Sequence, residues 1–371
     1  MQETRPFIPW DQINNFMIDV FEKYGVPRKD AEICADVLLE SDRRGIESHG
    51  CNRFKPIYLD RIKNGTLLPE TKIDIIKETP TTIVMDANDG MGMVASYDMM
   101  NRLIEKAKVY GMAGGTIMNS THFGIAGYWS GMAAKEGMIG MCGTNARPSV
   151  APTFGVEPMM GTNPLTFTMP TDEDFTFNFD CASCIIQNGK IEYYERQGKE
   201  TPKGCVVNSE GEILTDSGKI LKDMRAGNAA LLPLGGEGED TAGYKGYGIT
   251  TIVEILSAAL AGGPFLKALS GVSEEGKPQM YHLGHFFFVI NPEFFMGVDT
   301  FKKTTGEILR GLRASKKAPG HDRIYTAGEK EYLAWLDRKD KGVPVGESIQ
   351  KEFIQLRDEL GLTQYQFSFE K

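Results

Sequence analysis

Positive charge is scarce in this sequence. Its 371 residues carry 41 lysines and arginines against 50 aspartates and glutamates, a formal net charge of -9. Affinity for a phosphate backbone rests on Lys and Arg, so nucleic acid is excluded as the expected partner, and an anionic membrane surface is no better a match. Long apolar runs are also lacking. The longest, Ile249 to Leu269, contains Glu254 and breaks at Gly262-Gly263-Pro264, which marks a core helix and not a membrane span. The six cysteines (Cys34, Cys51, Cys142, Cys181, Cys184 and Cys205) fall mostly inside apolar runs of a chain large enough to fold without cross-links. Free thiols in a reducing compartment are expected. The opening Met-Gln-Glu-Thr-Arg has no signal-peptide core, so the cytoplasm is the expected location.

What is present is an ordinary globular composition, 41% apolar and 25% charged, enough for two compact domains or one large domain with a satellite. Residues 8–65 read as helical: Asp11 to Tyr24 and Lys29 to Asp42 space their apolar residues three and four apart, and a third helix is expected over Asn52 to Lys63. From residue 72 the period changes. Strands are expected at Ile73–Lys77, Thr81–Met85, Ala113–Met118, Met138–Cys142, Leu165–Met169, Phe175–Phe179 and Phe286–Ile290, with helices at Tyr97–Val109 and from near Ile125 to near Lys135. The end is helical again, over Thr300–Ala314, Glu329–Arg338 and Ser348–Leu360. Chain termini tend to lie close in space. The expected fold is therefore α/β: a mixed α/β domain over 71–299, and a helical, orthogonal-bundle-like domain built from both ends, 1–70 and 300–371.

Several motifs carry little. Gly90-Met-Gly92-Met-Val-Ala95 sits between a strand and a helix, the setting of a dinucleotide fingerprint, but the next strand ends Ile117-Met118-Asn119 with no acid for a ribose. A tight turn capping a helix is the better reading. Cys181-Ala-Ser-Cys184 has no second cysteine pair, and His282-Leu-Gly-His285 has no third ligand nearby, so no metal site is expected.

Three stretches carry more. In Asp42-Arg-Arg-Gly-Ile-Glu-Ser-His-Gly50, followed by Arg53, a helix starting near Ser48 puts His49 and Arg53 on one face. An imidazole beside a guanidinium suits a small carboxylate, although a solvated helix end gives the same spacing. In Asn119-Ser-Thr-His122-Phe-Gly124 a histidine precedes a helix, where the positive end of the dipole favours the neutral ring that a base requires, or where the ring simply caps the helix. Gly161-Thr-Asn-Pro-Leu165, Phe179-Asp-Cys-Ala182 and Gly243-Tyr-Lys245-Gly-Tyr-Gly248 offer Gly-rich turns and a lysine at a helix start, which can cradle phosphate or serve as plain turns.

Taken in order, Asp42 to Gly50, Thr121-His-Phe-Gly124, Gly161 to Leu165, Lys245-Gly-Tyr-Gly248 and Val289-Ile-Asn-Pro-Glu293 resemble the malate/L-lactate dehydrogenase family that is distinct from the Rossmann-type enzymes of those names. Its relatives include sulfolactate and ureidoglycolate dehydrogenases, diketogulonate reductase and piperideine-2-carboxylate reductase. The resemblance spans about Asp42 to Gly328. It implies a non-Rossmann, mixed-sheet NAD(P)-binding domain, NAD (or NADP) as cofactor, a small carboxylate substrate, and a homodimer or higher homo-oligomer. It implies His122 as proton acceptor and Ser48, His49 and Arg53 as carboxylate holders. Thr144, Asp180, Cys181, Ala182, Lys245, Gly328 and Glu329 are the implied cofactor contacts. The sequence departs from the family pattern at Phe154-Gly155-Val156, where a Gly-Gly pair is usual, and at Cys181, where Met is common. The expected reaction interconverts a small (S)-2-hydroxy acid, malate or lactate, and its 2-oxo acid. The alternatives are a reductase of a cyclic imino acid or diketo acid, a thiol-dependent hydrolase using Cys181 or Cys184, and a non-catalytic scaffold.

Overall fold

The computed structural model describes residues 5–370; Met1 to Thr4, which open the stretch read above for a signal peptide, and Lys371 lie outside them. The centre is a seven-stranded sheet, numbered here in chain order: β1 (Asp74–Glu78), β2 (Thr82–Asp86), β3 (Met112–Ser120), β4 (Ile139–Thr144), β5 (Leu165–Met169), β6 (Phe177–Cys181) and β7 (Leu283–Ile290). The spatial order is β1-β2-β3-β7-β4-β5-β6. Only β2 and β3 run parallel; every other neighbouring pair is antiparallel. This is a mixed sheet and not a doubly wound parallel one.

The last strand in sequence occupies the middle of the sheet. Its run Leu-Gly-His-Phe-Phe-Phe-Val-Ile has no polar alternation because it is covered on both faces. Its phenylalanines need room, and glycines on the flanking strands supply it. A Cβ at Gly114 of β3 would sit 2.7 Å from the Phe288 ring, and one at Gly143 of β4 would sit 2.6 Å from Phe286.

Helices α1 (Trp10–Lys23) and α2 (Arg28–Arg43) pack together, and the C-terminal helices Glu347–Leu360 and Glu329–Arg338 pack on α1 and α2 respectively. Phe7–Ile8 pairs antiparallel with Val343–Pro344, tying the two ends. Phe16 meets Phe353, Tyr365 and Phe367 at ring-centroid distances of 5.3, 5.2 and 5.2 Å. These helices share one continuous core with the sheet and with α3 (Gly92–Tyr110) and α4 (Ala126–Lys135), through Phe54, Leu103, Trp129 and Phe287. A smaller core, including Ile191, Val206, Ile220 and Leu231, belongs to a lobe emerging after β6, and Val150 from the segment between β4 and β5 packs into it.

Most expected elements are present, with informative shifts. Helix α3 starts at Gly92, five residues before the expected Tyr97, and the edge strand expected at Phe175–Phe179 lies at Phe177–Cys181. The lobe has no counterpart among the expected elements. Its helices Asn188–Arg196 and Ser217–Arg225 have 9 residues each and its strands Val206–Asn208 and Ala229–Leu231 have 3, too short for periodicity to stand out. The expected helix Asn52–Lys63 is interrupted: Cys51–Arg53 is one turn, Phe54–Leu59 is a wide π-helical turn, and Asp60–Lys63 is α-helical. Pro56 lacks the N–H that a regular helix needs at that point, and the wide turn accommodates the gap.

Candidate active site

The irregular strap from Asp42 to Lys63 carries one wall of the site. Buried Asp42 accepts a hydrogen bond from the Cys51 N–H at 2.9 Å, and Gly50 lies so close to this carboxylate that a Cβ there would strike it. The strap is thus anchored at its start. Ser48 Oγ is 2.9 Å from His49 Nδ1, and Arg53 Nε donates to the Ser48 carbonyl at 2.6 Å. That bond fixes the guanidinium through Nε; among the described residues its terminal nitrogens have no hydrogen-bond partner, so the fork is available for a planar anion. Ser48, His49 and Arg53 line a cleft of about 700 Å³ together with Asp180, Cys181 and Ala182 at the end of β6.

His122 stands at the exit of β3, its ring stacked near that of His49 with centroids 5.9 Å apart. The Tyr58 hydroxyl lies 2.6 Å from His122 Nδ1, and the Gly124 N–H donates to the same nitrogen at 3.3 Å. With Nδ1 accepting, a neutral ring carries its proton on Nε2; with Nδ1 protonated, the Tyr58 oxygen can accept instead. Burial, then the neighbouring His49, Arg61 and Arg53, hold the His122 pKa well below the ordinary histidine value. Burial and Arg53 together hold His49 down at about 4. Both rings are neutral at pH 7.

The glycine pair read as a weak fingerprint serves this loop. Gly92 N–H donates to Thr121 Oγ1 at 3.0 Å, and a Cβ on Gly92 would strike the Thr121 carbonyl. The start of α3 is therefore packed directly against the His122 loop, and the tight-turn reading of Gly90–Ala95 holds.

Behind the loop, the buried His285 of β7 bridges two strands: Nδ1 is 2.7 Å from Thr144 Oγ1 and Nε2 is 2.8 Å from Ser120 Oγ, while the ring stacks on Phe123 at 4.5 Å. His282 is separated from it and pairs with Asp89 at 2.8 Å, so the two histidines do not converge. Burial holds His285 down at about 3. Below pH 6.5 the unfolded chain takes up a proton that the folded chain refuses, so stability falls as pH drops from 6.5 towards 3. At pH 5 this single ring costs about 2 kcal/mol. Denaturant unfolding at pH 7 and pH 5 should show this loss, and a His285→Gln variant should lose less between the two.

The implied cofactor contacts divide. Asp180 accepts from Gly127 N–H at the start of α4 at 2.7 Å, and Asp180, Cys181 and Ala182 border the cleft. Gly328, at φ 91° against β6, borders a second cavity of about 540 Å³ that also reaches Asn178. One edge strand therefore serves both cavities, as a long ligand lying along it requires. The Thr144 hydroxyl is turned inward, within hydrogen-bond reach of the carbonyls of Asn145 (2.7 Å) and Gly284 (3.0 Å), to one of which its single proton can be donated. The Glu329 carboxylate is buried, taking the Thr326 N–H at 3.1 Å and the Arg323 guanidinium. Lys245 stands exposed at the start of helix Gly243–Ala258, its Nζ 5.8 Å from the Tyr244 ring and outside the cleft lining.

A family model described as malate/L-lactate dehydrogenase matches residues 8–353. The chain belongs to that family. It is 40% identical over 355 residues to a malate dehydrogenase of Pyrococcus horikoshii, covering 96% of each chain. To an L-sulfolactate dehydrogenase of Methanocaldococcus jannaschii it is 36% identical over 346 residues, 93% of this chain and 95% of the relative. The crystal structure of malate dehydrogenase from Entamoeba histolytica superposes with a TM-score of 0.93 at 44% identity, covering 96% of this chain and 99% of that one. The chain is a 2-hydroxy-acid dehydrogenase, and the family implies a nicotinamide cofactor.

For this dehydrogenase the sequence reading missed Tyr58 and Arg61, which the strap brings to His122. Tyr58 reads as one more apolar helix position, and only Pro56 signals that the helix is irregular. The thiol hydrolase reading loses its nucleophile: burial pushes Cys181 up to about 11 and Cys184 up to about 12, leaving both protonated near neutrality. No described helix is long and apolar enough to cross a membrane.

Proposed function

We propose that this dehydrogenase oxidises an (S)-2-hydroxy acid, malate or lactate, to the 2-oxo acid, and runs in reverse, with His122 as the proton-transfer group. The observation that carries this reading is a neutral imidazole, braced at Nδ1 by Tyr58, beside a guanidinium with an available fork. Arg53, with Ser48 and His49, binds the substrate carboxylate and aligns C2. In the Nδ1–H tautomer, with Nδ1–H donating to the Tyr58 oxygen throughout, His122 Nε2 takes the hydroxyl proton and the ring becomes the imidazolium. Substrate binding itself prepares the base, because a carboxylate on Arg53 offsets one of the charges that hold His122 down. The nicotinamide, when bound, accepts or supplies the hydride at C2. Asp180, Cys181, Ala182 and Gly328 hold the cofactor along β6. Thr144, Lys245 and Glu329 are included on the family resemblance alone. NAD is the proposed cofactor, with NADP as second choice, in a cytoplasmic homodimer or higher homo-oligomer.

The test follows the near-ultraviolet absorbance of NADH and NADPH with oxaloacetate, pyruvate and the cyclic imine piperideine-2-carboxylate. Turnover of a 2-oxo acid supports the reading; turnover of the imine alone moves the activity to the reductase alternative. Tyr58→Phe should lower kcat about 10-fold, the effect of one hydrogen bond to a charged group. It should also move the acid limb of the kcat/KM profile for hydroxy-acid oxidation to lower pH, since the imidazolium loses its acceptor.

A further inference from the structure

We propose that Asp42 is a positioning residue for substrate binding, an inference that rests on the proposed function. Its buried carboxylate, acting through the backbone of Gly50 and Cys51, holds Ser48, His49 and Arg53 in place for the substrate carboxylate.

Asp42 lies in the last turn of α2, and only 2% of its surface is exposed. It is outside the lining of the cleft, so it acts on the substrate only through its neighbours. One of its oxygens accepts the Cys51 N–H at 2.9 Å, at the start of the helical turn Cys51–Arg53. The carboxylate is pressed against Gly50, where a Cβ would fall on it. The strap is therefore held midway between His49 and Arg53. From there the hold is passed on: Arg53 Nε donates to the Ser48 carbonyl at 2.6 Å, and Ser48 Oγ lies 2.9 Å from His49 Nδ1. Displacing Gly50 and Cys51 moves all three substrate groups together.

A carboxylate is a costly choice at this place. The charged and titratable groups that face it are Cys51 of the strap, Glu47 of the preceding turn and Arg338 of the helix Glu329–Arg338. Arg338 is engaged elsewhere: its terminal nitrogens donate to the Asp42 carbonyl at 2.6 Å and to Glu47 at 2.5 Å. Asparagine has the same shape and accepts the same bond with no charge to bury, so stability alone does not call for the carboxylate. What the charge adds is a stronger hold on the Cys51 N–H. Burial, reinforced by Glu47 and opposed by Cys51 and Arg338, pushes Asp42 up to about 7. The hold strengthens as pH rises through that value. The unfolded chain releases this proton at about pH 4, so between about pH 4 and 7 the same carboxylate lowers the stability of the fold. Positioning and stability thus pull in opposite directions at this residue.

The experiment measures kcat and KM for oxaloacetate, the NADH Kd from fluorescence and the melting temperature at pH 6 and pH 8. The proteins are the parent, Asp42→Asn and Gly50→Ala. Comparing variant with parent at one pH cancels the titration of His122. At pH 8 the parent should exceed Asp42→Asn in kcat/KM by about 10-fold, mainly through KM, the difference between a charged and a neutral hydrogen bond. At pH 6, where Asp42 is mostly protonated, the ratio should shrink to about 2-fold. The NADH Kd should not change, and Asp42→Asn should melt no lower than the parent at pH 8. Gly50→Ala keeps the carboxylate but lifts the strap off it, and should show the same rise in KM at pH 8. Parental kcat/KM in either variant at pH 8 would overturn the proposal. So would an Asp42→Asn ratio that is the same at both pH values, or an equal loss of NADH binding. Absence of turnover of every 2-oxo acid by the parent would instead overturn the dehydrogenase reading, and this inference with it.

Discussion

Alanine in place of His122 should lower kcat for 2-oxo-acid reduction by about 100- to 10,000-fold, the range that one positioned acid or base supplies. Binding of NADH, read by fluorescence, should change little. The separation follows from geometry: His122 is held against Tyr58, Gly124 and His49, and it has no described hydrogen bond or ring contact with the cofactor candidates Asp180 to Ala182. Equal losses in binding and turnover would point to a collapsed loop. Thermal unfolding separates the cases, because the half-buried ring contributes modestly to the core. A variant that turns over at the parent rate would remove His122 from the mechanism.

Arg53→Ala should lower kcat/KM for the 2-oxo acid by about 100-fold or more, by removing a charged hydrogen-bonded anchor and the alignment of C2 that it provides. Arg53→Lys should recover only part of this, since an ammonium offers a point charge and not a fork. The substitution has a second consequence with a fixed sign. Arg53 is one of the cations that disfavour protonation of His122. Without it the ring binds its proton more readily, so the acid limb of the kcat/KM profile for oxidation should move to higher pH in Arg53→Ala, opposite to the shift expected for Tyr58→Phe. A profile that does not move would mean that the guanidinium and the ring are not coupled.

The parts of the site that could be read in the sequence are those where a residue type and its local setting act together. His122 lies between a strand that ends in Asn119-Ser120 and a helix that begins at Ala126, and that setting is visible without a structure. Helical spacing puts His49 and Arg53 together, and they do share the cleft, although the Arg53 guanidinium is held by the Ser48 carbonyl and not by a helix face. Tyr58 and Arg61 were hidden because the period of a regular helix does not describe a π-helical turn around Pro56. The sheet order was hidden for another reason. The run Leu283–Ile290 announces a buried strand, but its place between β3 and β4 depends on pairing with residues more than a hundred positions away. The glycines that admit its phenylalanines look like ordinary turn or breaker residues until the partners are known. Thr144 and Glu329 illustrate the converse, since their side chains are engaged with the protein interior.

Hydride transfer between C2 of a hydroxy acid and a nicotinamide leaves an isotopic trace. Its most direct test is to incubate the protein with NAD and (S)-malate deuterated at C2 and to examine the reduced cofactor by mass spectrometry and NMR. The expected result is one deuterium per cofactor, on C4 of the dihydronicotinamide ring, with oxaloacetate formed in equal amount. Failure to form reduced cofactor, or its formation carrying only protium, would contradict it.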